Sequence, residues 1–483
     1  MTRRLAAPAG LLVLYGFLIA IANQRHLWHD ELYTFYIAQA PTLSDLWRDL
    51  RVDLNPPLIY LAARTAMSVF GNTAFAVRLP SMLAFFGGSL CLYALVRRHL
   101  QSTNYAALAV LIFWSTPAFY FATEARPYAL VLGFFSVAML AWWIAIESPR
   151  TYWPILTLAA AVAGMMLSHF FAVLFLTPFF LAEGIRCIRQ RRPDWLIAAA
   201  LLLPCGLPFF FLRMQSGAAF PPAFQAGIRK MVSYYYWTLY EEGWVLLIAL
   251  CAALAVYRFR NRATPNPPTY TATEATFVAS LLALPIVVNS AIMFLHGAFF
   301  TRYAAPALLA YPLVLVVLLA KSTNTNRLSA IVMCSLLALY IPAQHLAKPI
   351  PKHSNFAQIH PELPLVAASG LTFLEMDHEE SLATVNRLYY LTDRESAMKY
   401  AHATIFEGLP DFKQLLPVRA HVEPLRQFLP DHPKFLVLGT PDYAEDWLIR
   451  YLFANHAKLE FLGNFPSEYK DSQLFLVSLP PAL

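Results

Sequence analysis

Two adjacent carboxylates, Asp30 and Glu31, stand in the stretch NQRHLWHDELYTFYIAQA (residues 23–40), directly after an apolar run. Neighbouring carboxylates at a bilayer boundary raise each other's pKa unless cations, a metal or water offset the repulsion. Ionisable groups in such a place are costly to keep and are commonly functional. The pair could supply a general base, alone or as a base beside a metal ligand, with His26 and His29 close in sequence. The plainer alternative is a helix N-cap, a role that Asp fills well. Two arginines have complementary chemistry. Arg126, in TEARPYAL (residues 123–130), is suited to paired hydrogen bonds to a phosphate, with Glu124 available to orient it and Tyr128 beside it. Arg302, in FFTRYAAPAL (residues 299–308), repeats the design with Tyr303 as its neighbour. Against both stands the snorkelling arginine, whose stem packs on apolar surface while its head reaches water. His169 and His296 have the same reach in sequence, but a lone histidine there is more readily a packing residue. Glu241, Glu242 and the aromatic run Tyr234, Tyr235, Tyr236, Trp237 are weaker still, and the run reads as an interfacial belt.

These residues sit in a chain made for lipid. Of 483 residues, 58% are hydrophobic and 13% charged, too few charges for a soluble surface of this size. Apolar runs fall at about 6–23, 78–96, 105–121, 128–146, 153–168, 170–186, 194–212, 238–257, 273–295, 303–320 and 328–345. That predicts about eleven transmembrane helices. The start resembles a secretory signal, but the many later spans favour an uncleaved first helix. With the N-terminus inside, the short inner connections collect 14 basic residues, among them Arg97, Arg98, Arg186, Arg189 and Arg258. This is the positive-inside pattern, and it puts Asp30, Glu31, Glu124, Arg126 and Arg302 together on the outer side. Topology also accounts for the basic pI, so nucleic acid is not an expected partner.

Residues 24–77 form a first outer loop patterned as amphipathic juxtamembrane helices on either side of Pro41 and after Pro56-Pro57. Beyond residue 345 the balance turns acidic, 17 Asp+Glu against 12 Lys+Arg. LPLVAASG, LTFLEM, KFLVLGT and DSQLFLVSL read as short strands and EDWLIRYLFANH as an amphipathic helix. The expected fold is therefore an all-α polytopic membrane domain over 1–345 and a small extracytoplasmic α/β domain over 346–483. The five cysteines avoid the tail and show no zinc spacing. No phosphate-binding Gly-Lys loop and no dinucleotide fingerprint occurs, which counts against an ATP-driven pump and a soluble nucleotide-sugar enzyme.

In order along the chain, HDELYTFYIAQ, NPPLIYLAAR, FGNTAFAVRLPSML, EARPYAL, LSHFFAVLFL and FTRYAAPAL resemble the GT-C membrane glycosyltransferases. The likeness is greatest to family 39, which includes protein O-mannosyltransferases and relatives of the lipid A aminoarabinose transferase. It covers about residues 5–345. It implies transfer of a hexosyl or pentosyl group, with inversion, from a polyprenyl-phosphate carrier to a lipid, glycan or protein acceptor on the non-cytoplasmic face. On this resemblance Asp30 is the base with Glu31 its neighbour, and Arg126 and Arg302 hold the carrier phosphate. Glu124, Tyr128, His169, Tyr303 and Asn55 are further substrate-binding candidates. Asn55 departs from the His often found before the two prolines, which weakens a metal or acceptor role there. A divalent cation at His29, Asp30 and Glu31 is left open, since the spacing is not diagnostic; no other cofactor is expected. A bacterial inner-membrane protein with its site and tail in the periplasm follows. The competing class is a lipid-linked sugar flippase or secondary transporter, but no internal repeat supports it.

Overall fold

The computed structural model describes residues 9–16, 19–20, 23, 25–53, 55–148, 151–210, 222–241, 248–249, 251–252, 269–322, 356–404, 409–441, 443, 446–465 and 472–480. The chain divides into two compact units: residues 1–24, 55–213 and 226–347, and residues 25–54, 214–225 and 348–483. The first half of the outer loop thus packs with the C-terminal region, whereas sequence pattern assigned all of 24–77 to the membrane domain.

The first unit is helical. Among the described residues four helices are long and apolar enough to cross a bilayer: Ala74–Leu100, Tyr128–Glu147, Phe170–Gln190 and Thr301–Ala320. The protein is a multi-pass membrane protein. Expected span 328–345, most of 238–257 and part of 6–23 lie outside the described residues. Several other runs are shorter or more broken than a uniform apolar pattern implies. Run 273–295 is two helices, Ala272–Leu282 and Leu284–Phe294, bent by 50°. Pro285, at the first turn of the second, has no N–H to continue the ladder. Run 105–121 stops at Trp114 and resumes as Ala118–Ala122 after Pro117.

Ala74–Leu100 and Tyr128–Glu147 run parallel. Ser81 Oγ donates to the carbonyl of Arg126 at one end (3.2 Å), and Arg98 pairs with Glu147 at the other. Between these points small residues let the backbones close. A Cβ on Gly133 would lie 2.5 Å from the Ala84 carbonyl oxygen, and one on Gly88 would lie 3.1 Å from the Gly133 Cα. Close approach through small residues is how apolar helices gain dispersion contact in lipid, where no hydrophobic force separates lipid from side chain. Near the Glu147 end, buried Glu183 and Glu274 accept the indole N–H groups of Trp142 and Trp143.

The C-terminal part of the second unit is a six-stranded sheet of order β3-β2-β1-β4-β6-β5, where β1 is Leu365–Ala367, β2 Leu388–Thr392, β3 His421–Pro424, β4 Lys434–Gly439, β5 Lys458–Phe465 and β6 Ser472–Ser478. The first four strands are parallel, and β6 pairs antiparallel with β4 and β5. The expected strands at LPLVAASG, KFLVLGT and DSQLFLVSL are present, as is the helix, Trp447–Ala454. LTFLEM is not a strand. It lies in the helix Gly370–Glu379, begun by Ser369, whose side chain accepts the Leu371 N–H, and buried along most of its length. An apolar run of this length has no period of its own, so the cap decides. In the same unit the expected outer-loop helices on either side of Pro41 appear as His29–Ala38 and Leu43–Asp49.

Candidate active site

In the helical unit, one cluster forms from three separate parts of the chain. Arg126, buried, ends the turn before Tyr128–Glu147 and is pinned through its carbonyl by Ser81. His169 lies in the break between Trp153–Met166 and Phe170–Gln190, where its Nδ1 accepts the N–H of Phe171 at 3.1 Å. Arg302 and Tyr303 open the segment Thr301–Leu309. The His169 ring stands 5.6 Å from both the Tyr128 and the Tyr303 rings. The Arg302 guanidinium lies over Tyr128 at 5.6 Å and over Phe300 at 4.8 Å, within range for attraction to the ring face. Burial, then the charges of Arg126 and Arg302, push the His169 imidazole down to about 3, so it stays neutral beside two cations. Arg126, Tyr128, His169, Arg302 and Tyr303 are therefore gathered in one unit.

Asn55 enters the same unit, and Leu58, which opens the helix Leu58–Phe70, donates its N–H to the carbonyl of Leu167 at 3.1 Å, two residues before His169. Glu124 is half-buried two residues before Arg126. Sequence reasoning overlooked Arg78. It is fully buried, one turn before Ser81 on the same helix face. Its signal was a lone charge within an apolar run, passed over because it lay in a family-like motif.

Asp30 and Glu31 belong to the second unit, at the start of the helix His29–Ala38. They do different things. Asp30 Oδ1 meets His29 Nε2 at 2.8 Å. Glu31 is fully buried and its Oε2 accepts the Trp28 N–H at 3.3 Å, closing the helix start. Among the described residues no group of three or more His, Cys, Asp and Glu side chains is arranged to hold a metal ion. Glu31 turns back to the start of its own helix, while Asp30 pairs with His29.

Residues 54–211 match the family model described as dolichyl-phosphate-mannose-protein mannosyltransferase. The chain is similar in structure to crystallised ArnT from Cupriavidus metallidurans, both apo and bound to undecaprenyl phosphate. For the bound form the TM-score is 0.57 at 12% identity, covering 97% of each chain. For the apo form it is 0.57 at 13% identity, covering 98% of this chain and 97% of that one. The fold is that of ArnT. No curated protein sequence matches significantly. The likeness to ArnT spans both units, and the family match covers the segment that carries Arg78, Arg126, Tyr128 and His169.

Proposed function

We propose that this protein is an inverting glycosyltransferase that moves a hexosyl or pentosyl group from a polyprenyl-phosphate carrier to a lipid, glycan or protein acceptor, in a bacterial inner membrane with its chemistry on the periplasmic side. The observation that carries this reading is the pair Arg126 and Arg302 around a neutral imidazole and two tyrosines, in a fold whose relative ArnT was crystallised with undecaprenyl phosphate. Two guanidiniums in a poorly hydrated cluster suit a phosphate. His169, held neutral, adds no competing charge and can offer its Nε2–H.

In this mechanism an acceptor oxygen or nitrogen attacks the sugar C1 on the face opposite the phosphate. The new bond to C1 forms as the C1–O bond breaks, and its electron pair leaves on the phosphate oxygen. Asp30 takes the acceptor's proton, oriented by His29. The phosphate departs as a stable anion, so the leaving oxygen needs no acid, and the arginines meet the charge that develops there. Asp30→Asn keeps the shape and removes the base. Mass spectrometry of envelope glycolipids and glycoproteins, with and without the protein, identifies the product; the variant should lower its yield by a factor on the order of 100 to 10,000. Wild-type yield from Asp30→Asn would dismiss Asp30 as base.

A further inference from the structure

We infer that Glu375, in the helix Gly370–Glu379 of the C-terminal region, is a positioning residue that fixes the start of the Asp30 helix. The inference rests on Asp30 being the base proposed above. Glu375 is buried, and its Oε1 accepts the backbone N–H of His29 at 3.2 Å across 346 residues of sequence. His29 is the first residue of the helix His29–Ala38. First-turn N–H groups have no partner within their own helix and need an acceptor from elsewhere. Glu31 serves Trp28, and Glu375 serves His29, whose ring in turn holds the Asp30 carboxylate. The chain of contacts therefore runs from the C-terminal region through one backbone amide to the reacting oxygen.

Glu375 does not act alone. Residues 375, 378 and 379 fall on one face of their helix, at i, i+3 and i+4. All three meet the segment around Asp30. Glu379 Oε2 pairs with His26 Nδ1 at 2.9 Å, and His378 Nδ1 meets the Tyr36 hydroxyl at 3.3 Å while its ring lies edge-on to Phe35 at 5.1 Å. The segment is thus gripped before the helix, at its first residue and near its end. The gripping helix is itself tied to the sheet, since Asp377 Oδ1 accepts the N–H groups of Arg419 and Ala420 at 2.9 and 2.7 Å, just before β3. On these contacts the C-terminal region is the frame on which the base is mounted.

The test uses the full chain in detergent, with three readouts: hydrogen exchange of residues 28–32, binding of undecaprenyl phosphate, and yield of the product identified above. Glu375→Ala should speed exchange at 28–32 by about five- to tenfold, the usual scale of a lost helix-start acceptor. It should lower product yield at least tenfold and leave carrier binding unchanged. Glu375→Gln keeps an acceptor oxygen and should restore most of both. Should Glu375→Ala fail to accumulate, Glu375→Asp, one methylene too short, replaces it with the same expectation. Unchanged exchange in the shortened variants, or equal loss in the Gln variant, would overturn the positioning role. Asp30→Asn separates the two readings: it should abolish product while exchange at 28–32 stays slow. If Asp30→Asn stays active, the base reading fails, and the exchange arm still judges the contact.

Discussion

An imidazole kept neutral beside two guanidiniums places demands on its neighbours that a merely packed histidine would not. His169 keeps its ring between Tyr128 and Tyr303 and spends its Nδ1 on a backbone N–H. Its folded pKa, pushed down to about 3, lies below the ordinary value of 6.5, so the neutral ring is favoured throughout the working range. If the ring also stays neutral with the carrier bound, carrier affinity shows no titration from His169 between about pH 5 and 8. His169→Asn keeps a cap acceptor and removes the ring. Its undecaprenyl phosphate affinity, measured across that range, should fall by about tenfold, with a pH profile parallel to that of the wild type, as loss of one neutral polar contact and ring packing implies. A change in the shape of the profile would show that the imidazole does titrate there. At this scale the sequence was informative because charge is rare in so apolar a chain. Asp30, Arg126 and Arg302 stood out, whereas the lone His169 read more readily as a packing residue. The different roles of Asp30 and Glu31 were not legible, since adjacent positions on a helix face different ways only once the helix start is known.

Among the elements, the parallel pair Ala74–Leu100 and Tyr128–Glu147 fixes the position of Arg126, because Ser81 on one helix holds the carbonyl just before the other. Gly133 sets how close they come, with the Ala84 carbonyl oxygen 2.5 Å from where a Cβ would be. Gly133→Leu must push the backbones apart and should cost about 1–3 kcal/mol in packing. The expected outcome is a lower unfolding midpoint in detergent and a weaker undecaprenyl phosphate affinity, although the residue lies two helical turns from Arg126. A midpoint equal to that of the wild type would mean that the helices are not in contact there. Apolar runs made most helices legible, and Pro41, Pro56 and Pro57 marked the outer-loop helices correctly. What hydropathy could not show was where a run breaks, because a window of apolar residues averages over Pro117 and Pro285. It also could not separate strand from helix in LTFLEM. β2, β3 and β5 went unrecognised, β5 because its alternating residues are mostly exposed and carry little apolar signal.

For the whole molecule, the division of the chain matters more than the number of spans. Residues 25–54 carry the proposed base and belong to a unit with residues 348–483, while Arg126, His169 and Arg302 belong to the other. No local pattern could reveal this, because the contacts join residues more than 340 positions apart, as in Tyr36 with His378. Each unit has its own buried core. The first includes Phe85, Trp114, Phe135 and Phe277, and the second includes Val366, Phe428, Val437 and Ile449. A chain ending before residue 350 should therefore keep the helical core and the arginine cluster, and lose the surface on which the Asp30 helix is built. Undecaprenyl phosphate binding should stay within about threefold of the wild type, while product formation falls to the level of Asp30→Asn, consistent with a base that has lost its orientation. Supplying residues 348–483 as a separate chain in the same membrane preparation should restore some of that activity, since the missing contacts are noncovalent. Equal loss of carrier binding and transfer in the shortened chain would show that the two units form one cooperative fold, and the division of labour between phosphate binding and proton removal would have to be abandoned.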